Sequence, residues 1–163
     1  MTRLLKPLAA AAALISSHAP LAQGAPVSQM HAYEGPRRPA AQLATVYGAI
    51  RLNRLDRTMI CEVDGKSVRT FSGCRSIVYL LPGSHRLQIS YSFGAIRKAN
   101  GTLTASFAAG RVYHIESGPA GNWVSFRLRE KPPGSALTYK DVYPDNPLLS
   151  VTVQGSRIDP AAE

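Results

Sequence analysis

The chain has 163 residues, 45% of them hydrophobic and 18% charged. That length leaves room for one domain rather than two, and that composition calls for a packed core rather than disorder. Lys and Arg number 19 against 10 Asp and Glu, a formal charge of +9, which suits anionic partners without naming one.

At the N-terminus, Arg3 and Lys6 precede an uncharged apolar run from Leu8 to Ile15, and Ala22-Gln23-Gly24 supplies small residues beyond it. The order basic, apolar, small is that of a cleavable export signal, expected here over residues 1–24 with cleavage after Gly24. The apolar run falls well short of the ~20 residues that cross a bilayer. No later segment approaches that length, so no transmembrane segment is expected in the mature chain. The first cysteine is Cys61, so none stands where a lipoprotein signal would need one to be acylated. The expected destination is the periplasm, with secretion beyond the outer membrane left open. Loss of Arg3 and Lys6 takes the formal charge from +9 to +7.

Residues 25–44 are rich in Pro, Ala, Gln and Arg, including Glu34-Gly35-Pro36-Arg37-Arg38-Pro39. The prolines forbid a continuous helix and favour an extended leader, on which Tyr33 is a candidate for docking to the domain. The domain itself is expected over residues 45–155, with a C-terminal tail at 156–163.

From Thr45 onward the pattern has period two. Met59-Ile60-Cys61-Glu62-Val63 and Ser67-Val68-Arg69-Thr70-Phe71 flank Asp64-Gly65, a hairpin signal because both turn residues tolerate positive φ. Ile77-Val78-Tyr79-Leu80-Leu81 leads through Pro82-Gly83-Ser84 into a strand with Leu87, Ile89, Tyr91 and Phe93 on one face. Asn100-Gly101 opens a strand with Leu103, Ala105 and Phe107 inward, and Ala109-Gly110 leads into Val112-Tyr113-His114-Ile115. After Gly118-Pro119-Ala120-Gly121, Trp123 to Glu130 places Val124, Phe126 and Leu128 on one side and Ser125, Arg127 and Arg129 on the other. Further apolar runs follow Pro132-Pro133-Gly134, at Leu137-Thr138-Tyr139 and from Leu148 to Val153. About eight short strands between frequent turns predict an all-β fold, an antiparallel β-sandwich that is immunoglobulin-like or related.

Val63-Asp64-Gly65-Lys66, Leu80-Leu81-Pro82-Gly83-Ser84-His85-Arg86-Leu87 and Ala109-Gly110-Arg111-Val112-Tyr113-His114-Ile115 resemble the PEGA-like sandwich modules of proteobacterial envelope proteins and lipoproteins. Those modules carry a V-D-G hairpin, a PG-x-H-x-L turn into a strand and an AG-x-x-Y strand start. The leader from Tyr33 to Pro39 is similar as well, and the likeness runs over residues 33–130. It implies a PEGA-like β-sandwich and a non-enzymatic envelope part. The lipobox cysteine of the lipoprotein relatives is missing, so membrane tethering is not carried over.

Candidate chemistry is sparse. Cys61 and Cys74, the only cysteines, flank the Asp64-Gly65 hairpin, and in an oxidising compartment such a pair is expected as a disulfide. Two separate buried thiols are the other reading. His31, His85 and His114 are far apart in sequence, unlike the partly local ligand sets of zinc sites, so no metal site is expected. Glu62 and Asp64 share a strand face, but Asp64 is already explained by its turn. No nucleophile elbow or phosphate loop is present, so no catalytic residue and no cofactor are expected. Arg51, Arg54, Arg57, Arg69 and Arg75 recur around the cysteines, and Arg127 and Arg129 share an outward face with Trp123. That face is the possible ligand-contact surface, since a guanidinium fork holds phosphate or carboxylate groups. A solvated sheet face with edge charges that discourage aggregation explains it better, since one aromatic beside two arginines is common on sheets. Expected partners are therefore an envelope protein, or anionic lipid or polysaccharide, with no nucleic acid.

Overall fold

The structure, a computed structural model, describes residues 29–94 and 97–146. The expected signal, the run from Leu148 to Val153 and the tail at 156–163 lie outside the described residues. In chain order the elements are β1 (Gln29–His31), β2 (Ala44–Gly48), β3 (Ile50–Arg51), β4 (Asp56–Val63), β5 (Lys66–Ser67), β6 (Ile77–Leu80), β7 (Gly83–Phe93), β8 (Arg97–Phe107), β9 (Val112–Ala120), β10 (Trp123–Glu130) and the helix α1 (Tyr139–Val142).

One sheet has the order β1-β6-β2-β9-β10; the other has the order β3-β4-β7-β8, with β5 paired to β4. Their facing sides make the core. Val46, Val78, Leu80, Tyr113 and Ile115 from the first sheet meet Ile60, Val63, Leu87, Ile89 and Phe107 from the second. Period two sets this up: Leu87, Ile89 and Tyr91 are buried while residues between them are not. Phe126 and Leu128 pack against the same core from β10. The fold is thus the all-β sandwich that the alternation predicts.

The expected antiparallel arrangement holds throughout the second sheet, but the first is mixed. There β1 runs parallel to β6, and β2 runs parallel to β9. The reason is that β2 passes directly into the opposite sheet: after Gly48 and Ala49 the chain continues as β3, paired with β4. Its neighbour β9 therefore arrives by a long crossover rather than a hairpin.

Three local expectations resolve differently. The extended leader enters the sheet at β1, where Met30 joins the inner core and His31 lies 5.1 Å from the Tyr79 ring on the outer face. Leu43 and Ala44 are already fully buried. Asn100-Gly101 lies within β8, and the hairpin turns instead after Phe93, where Gly94 has φ +57°. The apolar run Leu137-Thr138-Tyr139 leads into α1, which begins at Tyr139. Thr138 caps that helix, accepting from Asp141 N while Asp141 accepts from Thr138 N.

The outer face of the first sheet carries a second apolar layer. Leu137 and Val142 cover Leu43, Tyr47, Ile77, Tyr79 and Val112, with Tyr33 and Tyr143 at the margin. Lys131 Nζ holds this cover by donating to both Asp141 carboxylate oxygens at 2.8 Å. Asp145 fastens its far end, accepting from Leu52 N at 2.9 Å and Asn53 N at 2.8 Å.

Candidate interaction surface

Cys61 and Cys74 form a disulfide with Cα atoms 4.5 Å apart. Cys61 sits where the β4–β7 register shifts between Ile60 and Glu62, and that irregularity leaves its strand free to pair elsewhere. The returning segment takes up the pairing: Val68 N donates to Cys61 O, and Ile60 and Arg75 exchange both backbone hydrogen bonds. Thr70 and Gly73 likewise pair both ways, which closes a tight turn with Phe71 fully exposed at its tip.

The hairpin between β4 and β5 turns on Asp64 (φ +52°) and Gly65 (φ +77°). Asp64 also reaches the next strand: its carboxylate accepts from Arg86 N at 2.8 Å and meets His85 Nδ1 at 2.6 Å. Partial desolvation pushes its pKa up, but the Arg86 and His85 contacts and the nearby Lys66 outweigh that and hold it below the usual carboxylate range. His85 Nε2 meets Leu81 O at 2.8 Å, so both ring nitrogens serve the turn into β7.

Trp123, Arg127 and Arg129 lie on the outer face of β10, the edge strand of the first sheet. The three do not form one cluster. Trp123 and Arg127 are four positions apart along the strand, about 13 Å. Trp123, 80% exposed, stands at the end of the sandwich, whereas the arginines stand midway along the sheet. Arg127 is opposite Glu116 and Arg129 is opposite His114, and Arg129 Nη1 donates to Glu116 Oε1 at 3.2 Å. Arg127 has no bonded partner among the described residues. Of the other arginines named from sequence, Arg51 and Arg54 flank the buried Asp56, Arg75 is tied into the disulfide segment, and Arg57 and Arg69 are exposed.

Inward of Arg129, His114 stacks on Tyr47 with ring centroids 4.6 Å apart. Burial lowers its pKa, with Arg51 and Arg129 adding to the effect and Glu116 and Asp141 opposing it. Its Nε2 finds no hydrogen-bond partner among the described residues. Burial raises the Tyr47 phenol well above its ordinary range. His31, His85 and His114 occupy separate places, and no group of three or more His, Cys, Asp or Glu that could hold a metal ion occurs among the described residues.

A feature that the sequence reading passed over is the concentration of apolar side chains where Trp123 stands. Leu52 and Leu55 occupy the turn between β3 and β4, Phe93 ends β7, and all are exposed. Phe93 and Trp123 line one cavity of about 750 Å³ between the ends of the two sheets, together with Tyr91, Lys98 and Val124. The available signal was Leu52-Asn53-Arg54-Leu55, a polar-looking turn bounded by two leucines with no strand to bury them. No protein-family model, curated protein or solved structure matches this chain.

Proposed function

We propose that the chain is a non-enzymatic accessory or interaction module of the bacterial cell envelope, PEGA-like in plan, exported to the periplasm and acting through its exposed surface. The observation that carries this reading is the outward display of large side chains, Trp123 above all, on a framework braced by a disulfide and a second apolar layer. Rigid exposed aromatics are what recognition surfaces use. The disulfide suits an oxidising compartment, and the order of residue types over 1–24 suits a cleaved signal. Among the described residues no helix is long and apolar enough to cross a membrane. The test is mass spectrometry of the protein from a periplasmic extract, followed by crosslinking in intact cells. A chain beginning at Ala25 and crosslinked to a defined envelope protein is expected. A cytosolic chain that retains Met1 overturns the reading.

A second reading, a binder of anionic envelope polymer or lipid through the arginine face of β10, is favoured by Arg127, which has no bonded acid. Replacing Arg127 and Arg129 by Ala should weaken retention on lipopolysaccharide and flatten its salt dependence. A folded double variant that binds as wild type does removes this reading.

A further inference from the structure

Four of the five large apolar side chains exposed among the described residues, Leu52, Leu55, Phe93 and Trp123, gather at one end of the sandwich; the fifth is Phe71. Their closeness is set by the backbone. Gly94 N donates to Leu55 O at 2.8 Å, which ties the β3–β4 turn to the end of β7. Phe93 faces Asp56 in register and shares the inter-sheet cavity with Trp123. Leu55 is 66% exposed and Trp123 80% exposed, so both side chains project from this end, and Trp123 with Phe93 also borders the mouth of the inter-sheet cavity. Large exposed apolar side chains gathered at one end of a domain are the mark of an interaction site.

Charge indicates what covers it. Arg57, Ser92 and Lys98 stand in one row across β4, β7 and β8. Arg57 and Lys98 are exposed and have no acidic partner among the described residues. Arg51 and Arg54 lie close by around Asp56, which is 2% exposed. The Asp145 carboxylate is occupied by the backbone N–H groups of Leu52 and Asn53. The end therefore presents apolar tips from separate turns, a tryptophan among them, with free cations set just behind. Projections from several turns suit a deformable surface better than a preformed protein groove. Tryptophan favours the boundary between headgroups and acyl chains, and cations beside it are drawn to anionic headgroups.

We propose that this end of the sandwich docks on an anionic lipid bilayer, with Leu52, Leu55, Phe93 and Trp123 entering the boundary layer and Arg57 and Lys98 meeting the headgroups. The surface differs from the β10 arginine face and does not depend on it.

Trp123 is the only tryptophan in the chain, so its fluorescence reads this end directly. Co-sedimentation of the full chain does not, because the run from Leu8 to Ile15 is itself apolar. The probe is vesicles of phosphatidylcholine, alone or mixed with phosphatidylglycerol, with brominated acyl chains as quencher. Trp123 emission should shift to the blue and be quenched, more strongly when phosphatidylglycerol is present. Leu52→Ser with Leu55→Asn should weaken vesicle binding by about tenfold or more; asparagine suits the positive φ of position 55 (+53°), and both sites are exposed, so melting should be unchanged. Arg57→Ala with Lys98→Ala should abolish the preference for phosphatidylglycerol, and Arg127→Ala with Arg129→Ala should leave quenching intact. An unquenched Trp123 overturns the proposal, as does a leucine variant that binds like wild type. Quenching lost in the Arg127 and Arg129 variant places the contact on β10 and overturns it too. A blue shift that grows with protein concentration in the absence of vesicles assigns the surface to a second copy of the chain instead.

Discussion

Gly101 in β8 makes room for the ring of Phe126 in β10: a Cβ on Gly101 would stand 2.6 Å from two of the ring carbons. The glycine is therefore fixed by packing between sheets, not by a turn. Replacing it with Val should force Phe126 off its site and lower stability by about 1–3 kcal/mol. Denaturant melts check this, and Gly101→Val with Phe126→Ala should recover part of the loss by clearing the clash.

The Cys61–Cys74 bond closes a loop with a sequence separation of 13. In the chain-entropy account such a loop stabilises the fold by about 3 kcal/mol. Reduction, or Cys61→Ala with Cys74→Ala, should lower the denaturation midpoint accordingly. Non-reducing peptide mapping of native protein should recover the two peptides joined. Freely alkylated thiols in oxidised native protein would refute the pairing.

Asp64 couples two hairpins through its carboxylate, and its folded pKa lies below the ordinary value of 3.8. A lowered carboxylate pKa means that the unfolded chain binds protons first as pH falls. The stability contributed by the charge is complete above the ordinary value and drains away as pH drops through the lowered one. Asp64→Asn keeps a residue that tolerates positive φ while removing the charge. It should be less stable than wild type at neutral pH, and that gap should narrow at the acid end of the pH series.

His114 has the opposite chemistry and the same sign. Its folded pKa lies below the ordinary 6.5 because the ring is buried against Tyr47, with Glu116, Asp141, Arg51 and Arg129 around it. Here too the unfolded chain takes up protons first, so this residue costs stability as pH falls from about 6.5 towards the lowered value. His114→Phe retains an aromatic stack on Tyr47 and removes the proton site. As pH is lowered from about 7 to about 5, through the range in which an imidazole takes up its proton, the contribution of this residue should lower the melting temperature of wild type, and the variant should stay flatter.

The parts of this fold that were legible in the sequence are those where side-chain alternation and turn chemistry agree. Leu87, Ile89 and Tyr91 fall on one face because strand geometry leaves no other choice, and Asp64-Gly65 turns because its φ values are positive. Gly101 misled because a glycine that admits a neighbouring ring reads the same as one that turns the chain. The β1 strand was hidden in a proline-rich stretch, where three extended residues lack the length to show a period. Leu137 and Val142 were not recognisable as a second layer, since what they cover is assembled from β2, β6 and β9. Trp123 was visible as a candidate, but its company, Leu52, Leu55 and Phe93, depends on which ends of which strands meet. Sequence spacing along one strand grouped it instead with Arg127 and Arg129.

The passage of one uninterrupted stretch of backbone from the first sheet to the second has a mechanical meaning. At Gly48 the main chain runs so close to Thr58 that a Cβ would stand 2.1 Å from its carbonyl oxygen, and the Thr58 hydroxyl in turn meets that of Ser117 across the sandwich. Residues 44–47 are in register with β6 while residues 50–51 are in register with β4. A one-residue slip in either pairing would turn its side chains to the wrong face, and it would drag the other pairing with it. The two layers are thus geared together at a single tooth, so that neither can shear or peel without stripping the other.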